Sequence, residues 1–586
     1  MIDAATSRKL LAEVESALIE LRNDRRVNAV LIYETIAKRS DLDALVQFAL
    51  GRLSLALGGS FQAVEHFQAA LSGDPDNAQY LGYLGLALQA ENRYQPAIEA
   101  YERALLTDAG NFVVLNGLGS IYLERGDLEK ARDLLARAVE LKPGDAVFRN
   151  NFAAALANSN EHDAALKHAE KALRLDPNNL NAHNTYGRIL AELGRVGDAV
   201  KHLEKTIRHH RHCGGAYDQL ARLKKFSAND NAFMLKAEKV LQIGMPAKDR
   251  YSIHFALGKM YDDCQEFDKS FEHYRQGNLL KKKEYDVKKS IRTFEQIKKL
   301  FNADTLPRYQ ELGNSSTIPV FVVGMPRSGT TLMERMITSA ERTAGAGELL
   351  EISRISEELA PSEDPRQFAK AARANLTAEN ISKHAEGYLH ILRQAGADAV
   401  RIVDKMPGNY YFIWMISILF PQATIIFARR HPLDVCLSCY FQNFASLRWA
   451  NDLQTIGDVY RSHREVMDYW KSVLPQGKII EIEYELLVDE PEVHGRYMLE
   501  SCGLEWRGDG LARYKKDQVV KTASLWQVRQ PIYQSSKMRW TKYAPHLKEL
   551  ALQLSDYLQD DREQLAGFGI DLPAPSRIGR LKRLFG

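Results

Sequence analysis

Gly324 and Gly329 bracket the loop G-M-P-R-S-G-T-T, which follows an apolar, β-branched run at residues 318–323. Beyond it Leu332, Met333, Met336 and Ile337 recur at helical spacing. The glycines permit backbone conformations and close approaches that a side chain obstructs. The pattern predicts strand, tight loop and helix, with the backbone amides of Ser328, Gly329, Thr330 and Thr331 at a helix N-terminus, where the macrodipole favours an anion. Arg327 adds a full positive charge beside them. Such a constellation suits a phosphate; an ordinary glycine-containing turn is the alternative.

A second set of anion-binding groups lies about a hundred residues on. After the apolar run 424–428 come Arg429, Arg430 and His431, with Ser438 8 residues beyond Arg430. An arginine at a strand end holds a phosphate bidentately, and a serine on the following helix adds a hydroxyl; a surface salt bridge is the competing reading of the arginine pair. The nucleotide triphosphatase loop G-x-x-x-x-G-K-[ST] shares the glycine spacing but has a lysine where this chain has Thr330. Kinases and ATPases use that lysine on the β- and γ-phosphates, so nucleotide kinase chemistry is disfavoured.

Several strands and helices must position these groups. Residues 318–323, 399–403, 424–428 and 478–482 read as strands, and 409–419, 432–444 and 455–473 as helices. Alternation of this kind implies a parallel sheet covered on both faces, with ligand groups at the carboxyl ends of its strands. At 586 residues there is room for several domains. Seventy-eight basic against 75 acidic residues leave a formal charge of +3, which gives no global argument for nucleic acid or membrane binding. The apolar stretch 410–420 is too short to cross a bilayer, and the N-terminal residues do not read as a secretory signal. Five cysteines, too few and too irregular for a disulfide scaffold, fit a reducing cytoplasm.

The first half carries a period of 34 residues. Segments starting at Ala44, Ala78, Phe112, Ala146 and Leu180 place Gly51, Gly85, Gly119, Ala153 and Gly187 at position eight, and Ala63, Ala97, Ala131, Ala165 and Ala199 at position twenty. Small residues at those points let paired helices cross closely. The pattern is similar to the tetratricopeptide repeat. A sixth unit, 251–284, keeps Gly258 but has Ser270 and Gly277 at the other small positions, and 214–250 is expected to form an irregular helical pair. Such arrays stack into superhelices that either hold an extended peptide or serve as scaffold. Two cysteine- or histidine-rich motifs are not read as metal sites: residues 208–213 form a solvated basic helix end, and Cys436 with Cys439 is packing. Lys281, Lys282 and Lys283, with Lys288 and Lys289, are expected on the exposed face of a linking helix.

P-R-S-G-T-T-L followed by Arg430 and Ser438 resembles the two phosphate sites of sulfotransferases that use 3′-phosphoadenosine 5′-phosphosulfate (PAPS), where the loop takes the 5′-phosphosulfate and the Arg–Ser pair the 3′-phosphate. From residue 319 to about 543 the chain looks closest to the tyrosylprotein sulfotransferases. That resemblance implies Glu348, in Gly347-Glu348 and 18 residues beyond Thr330, as general base. Glu351, Glu357 and Glu358 lie nearby but lack its preceding glycine and spacing. It further implies Lys405 in V-D-K-M-P and Ser524 in A-S-L-W-Q-V as catalytic, together with Arg327. Tyr484 corresponds to a tyrosine near the adenine, and Arg539 with Trp540 to a basic-Trp pair at the nucleotide.

The expected architecture is an all-α tetratricopeptide-repeat superhelix followed by an α/β P-loop-like sulfotransferase domain with a parallel sheet. The expected divisions are N-terminal helices at 1–43, repeats at 44–284 with irregularity at 214–250, a linking helix and linker at 285–316, the PAPS-dependent domain at 317–570 and a basic tail at 571–586. The expected activity is transfer of a sulfuryl group from PAPS, without a metal, to a hydroxyl. A tyrosine of a peptide or protein docked by the repeats is favoured over a glycan or small molecule; a repeat scaffold with a nucleotide-sensing domain is the non-enzymatic alternative. The expected setting is cytoplasmic, with no nucleic acid and no transmembrane segment.

Overall fold

The computed structural model describes residues 2–22, 25–210, 212–361, 364–507 and 537–574. The chain divides into two compact units, Met1–Leu193 and Gly194–Gly586.

The first unit is entirely helical among its described residues. Ala4–Arg22 and Arg26–Ala37 precede the repeats, whose first helices are Ala44–Leu57, Ala78–Ala90, Phe112–Glu124, Ala146–Asn158 and Leu180–Glu192. Each starts at the residue that opens its 34-residue segment, and each is preceded by Asp43, Asn77, Asn111, Asp145 or Asn179, whose side chain accepts from an amide of the first turn. The sequence thus marks every start with an N-cap. Position eight has a steric cause: a Cβ on Gly85 would lie 2.5 Å from the Tyr101 ring of the paired helix, and one on Gly51 equally close to Phe67.

The second unit opens with helices that continue the pattern. Gly214–Leu223 and Asn231–Leu241 are the irregular pair; Ala247–Asp263 and Phe267–Lys281 form the sixth repeat. Its Phe255, Phe271 and Tyr274 share a core with Leu433, Tyr440 and Phe441 of the α/β region and with Trp540 and Tyr543. Lys281 does not lie on an exposed face as expected. Its ammonium donates to Asn443 Oδ1 at 2.7 Å and sits 5.1 Å from the Tyr251 ring centroid, and burial pulls it down to about 8. Nor does the following helix, Val287–Leu300, merely link: Phe294, Ile297 and Leu300 are buried with Phe321 and Trp414.

The α/β region contains five parallel strands, β1 (Pro319–Gly324), β2 (Thr343–Gly347), β3 (Arg401–Asp404), β4 (Thr424–Arg429) and β5 (Ile479–Glu483), in the order β2-β3-β1-β4-β5. Successive residues of β1 serve opposite faces. Phe321 and Val323 pack with Tyr388, Trp414 and Trp470, whereas Val320 and Val322 pack with Met333, Met336 and Met498. Four strands agree with the sequence reading to within two residues. The fifth, β2, is T-A-G-A-G, an edge strand with no buried residue and no β-branched alternation to mark it. The expected helix at 409–419 is a 3₁₀ turn, Pro407–Phe412, running into Ile413–Leu419.

Candidate active site

The loop after β1 folds around three backbone positions with positive φ: Gly324 at 151°, Arg327 at 73° and Gly329 at 97°. Left-handed conformations are uncommon for non-glycine residues and mark a tightly specified turn. At Gly329 a Cβ would collide with the Tyr484 ring, so the glycine is what lets that aromatic floor approach the loop. The helix begins at Thr330 and runs to Ile337. The Ser328 amide, expected at the helix N-terminus, donates instead to Met325 O at 3.2 Å, and the Ser328 hydroxyl donates to the same carbonyl at 2.7 Å. Thr330 and Thr331 therefore supply the first helical amides, which have no acceptor within the helix.

β4 ends beside this loop. Arg430 Nη1 donates to Arg327 O at 2.8 Å, and the guanidinium lies 4.8 Å from the Tyr484 ring centroid. Tyr484 opens the short helix that follows β5. Arg327 Nε donates to Ser438 Oγ at 3.1 Å, on the helix Pro432–Tyr440. The loop, Arg430, Ser438 and Tyr484 thus converge at the carboxyl ends of β1, β4 and β5. Arg429 takes the other role considered for the pair: it forms ion pairs with Glu481 at 2.7 Å and with Glu483, both on β5. Cys439, read as packing, also donates its thiol to Pro326 O at 3.2 Å and so steadies the loop.

Across the sheet, β2 and β3 bring Glu348 and Lys405 together. Their register shifts between Gly345 and Gly347, so that Gly347, with φ 78°, lies opposite Asp404. The Lys405 amide donates to Gly347 O at 2.8 Å. This bulge sets the next residues of both strands side by side, and the Lys405 ammonium donates to Glu348 Oε1. Lys405 is buried, at 1% exposure, while the Glu348 side chain is 46% exposed and accessible to a second reactant.

Two carboxyl groups here escaped sequence reasoning. Glu334 Oε2, on the loop helix, lies 3.9 Å from Lys405 Nζ, and burial raises its pKa against the pull of that lysine. Asp404 is pushed up to about 7 by burial, although Tyr388 Oη donates to it at 2.7 Å, Asn409 Nδ2 at 3.0 Å and the Leu349 amide at 3.3 Å. Its neighbour Lys405 in V-D-K-M-P was the only available signal; Glu334 had none beyond its place on the loop helix.

Arg539 is engaged by the sixth repeat. Its guanidinium donates to Asp262 Oδ2 of the sixth repeat at 2.8 Å and stacks over Phe441, 5.3 Å from the ring centroid. Its neighbour Trp540 is the residue at the α/β site's edge, stacked on His431 and donating its amide to Asp434 Oδ1 at 2.9 Å. Ser524 and the basic tail from Ser576 to Gly586 lie outside the described residues. No group of three or more potential metal ligands occurs among the described residues, and no described helix is long and apolar enough to cross a membrane.

Family models match the two parts of the chain separately. Residues 319–508 match the model described as "Sulfotransferase family", and residues 48–113, 88–156 and 156–223 match tetratricopeptide-repeat models. An uncharacterized protein of Aquifex aeolicus (strain VF5) is 33% identical over 340 residues, 56% of this chain and 44% of that protein, so this chain spans less than half of that relative's length. Among solved structures, Pseudomonas aeruginosa pilF is 22% identical over 39% of this chain and 96% of its own, with a TM-score of 0.30. A thermophilic TPR protein of Thermus thermophilus is 20% identical over 31% of this chain and 98% of its own, with a TM-score of 0.28.

Proposed function

From a chain that combines tetratricopeptide repeats with a sulfotransferase-family domain, we infer an enzyme that moves a sulfuryl group from PAPS to an acceptor hydroxyl. The observation that carries this reading is the pairing of two anion-binding centres at the carboxyl end of the sheet, the loop with Arg327 and the Arg430–Ser438 pair, with Glu348 and Lys405 at the ends of neighbouring strands. The loop fits a 5′-phosphosulfate: it presents a helix N-terminus and a guanidinium but no lysine at Thr330. Arg430 and Ser438 suit a 3′-phosphate, and Tyr484 offers an apolar face beside Gly329 for a base.

PAPS supplies an activated S–O bond whose cleavage leaves 3′,5′-adenosine bisphosphate. Glu348 takes the proton of the acceptor hydroxyl as its oxygen bonds to sulfur. Lys405 and Arg327 stabilise charge gathering on the departing 5′-phosphate oxygen. Ser524, carried over from the family resemblance, is assigned a further donor role. Because the sulfuryl group brings less negative charge than a phosphoryl group, cationic side chains and amides serve without a metal.

The acceptor we favour is tyrosine in a peptide or protein held by the repeats, supported by the Gly-Glu, V-D-K-M-P and A-S-L-W-Q-V segments. A glycan or small-molecule hydroxyl is the alternative acceptor. Calorimetric titration with 3′,5′-adenosine bisphosphate, ADP and ATP tests the reading: the bisphosphate binds in preference to both. Preference for ATP, or no binding, overturns it.

A further inference from the structure

A cavity of about 440 Å³ opens between the irregular helix Asn231–Leu241 and the two helices of the sixth repeat. That volume lies within the range of small-ligand or side-chain pockets. Its walls include Leu241, Leu280, Gln242, Gln276, His254 and Arg250. Arg250 Nε is buried without a hydrogen-bond partner, and Arg250 is on the wall of the cavity. A buried guanidinium N–H without an acceptor is costly unless a ligand completes it.

The other polar groups define the charge of that anion. His254 Nδ1 and His273 Nδ1 are 3.1 Å apart, so one ring donates to the other, and burial with the neighbouring His273 and Arg250 holds His254 down at about 4. The imidazoles are therefore neutral near pH 7. Glu238, also on the wall, accepts from Tyr261 Oη at 2.5 Å, and its Oε1 lies 3.6 Å from His273 Nε2. A single cation opposed by one carboxylate disfavours a dianion such as phosphate. Two amide side chains offer further donors, and two leucines cover an apolar stem.

We propose that this cavity binds a carboxylate on a short aliphatic stem, the form presented by a glutamate side chain of a peptide, with Arg250 as its counter-ion. The inference stands apart from sulfuryl transfer, and its test reads binding rather than turnover.

The full chain is titrated calorimetrically with N-acetylglutamate amide, glutarate and N-acetylglutamine amide, as wild type, Arg250→Gln and Leu280→Trp. Thermal melting confirms that each variant is folded. N-acetylglutamate amide is expected to bind, with affinity lowered at least roughly tenfold by Arg250→Gln, the scale of a lost charge-assisted hydrogen bond, and lowered again by the bulk of Leu280→Trp. Binding of glutarate alone, equally dependent on Arg250, supports the site with a free acid as its source. No binding of either acid, equal binding of N-acetylglutamine amide, or affinity unchanged in folded Arg250→Gln overturns it.

Discussion

Arg327 Nε donates to Ser438 Oγ at 3.1 Å, joining the loop after β1 to the helix after β4. With Arg430 bonded to Arg327 O, the two candidate phosphate sites form one polar network rather than two independent patches. Removal of either member is expected to weaken 3′,5′-adenosine bisphosphate. Arg430→Ala loses a guanidinium and costs roughly 100-fold, whereas Ser438→Ala loses one hydroxyl and costs roughly 10-fold. Calorimetry on both variants checks the order; equal affinities to wild type would remove the 3′-phosphate assignment.

Glu348 and Lys405 divide the reaction between an exposed base and a buried cation. Glu348→Gln is expected to preserve bisphosphate affinity and to lower turnover about 100-fold or more, the scale of a lost general base. Single-turnover consumption of PAPS against an acceptor pool measures it. Unchanged turnover would pass the role to another carboxylate, of which Glu334, 3.9 Å from Lys405, is one described candidate.

Asp404 gives the fold a pH dependence of definite sign. Its carboxyl titrates near 3.8 when unfolded and about 7 when folded, so between those values the native state holds a proton that the unfolded chain has lost. The stability it contributes is fully present below pH 3.8 and is lost as the pH rises through about 7. The full excursion is on the order of 4 kcal/mol. Asp404→Asn removes the titration: its stability, measured by urea unfolding from pH 5 to 8, should fall less with pH than that of the wild type. Parallel curves would mean that Asp404 stays ionised.

The sequence exposed these features unevenly, for physical reasons. Repeat helix starts were legible because each coincides with a period in small residues, and Gly51 and Gly85 occupy places where an aromatic ring leaves no room for a Cβ. β1 and β4 were legible as buried apolar runs. β2 was not, because an edge strand of small residues buries nothing that a pattern could reveal. Pairing of Glu348 with Lys405 depends on the bulge in that strand, and neither sequence spacing nor composition encodes a register shift. The family resemblance supplied both residues without supplying their contact. Lys281 misled because a charge run was read as one exposed face, whereas its first lysine turns inward to Asn443.

Arg539, singled out by resemblance, is held by tertiary contacts of its own. Asp262 accepts from its guanidinium and also from Tyr543 Oη at 2.5 Å, while Ser270 Oγ lies 3.0 Å from that same hydroxyl. The network joins the sixth repeat to the segment that carries Trp540, and Asp262 is held below the usual carboxylate range by Arg539 and Tyr543 against its own burial. Asp262→Ala leaves the guanidinium without its partner and is expected to cost about 3–5 kcal/mol, whereas Asp262→Leu with Arg539→Met costs less, because both charges leave together. Urea unfolding of the single and double variants measures this coupling. Bisphosphate affinity of the double variant is expected to match wild type; a marked loss there would return Arg539 to the nucleotide site.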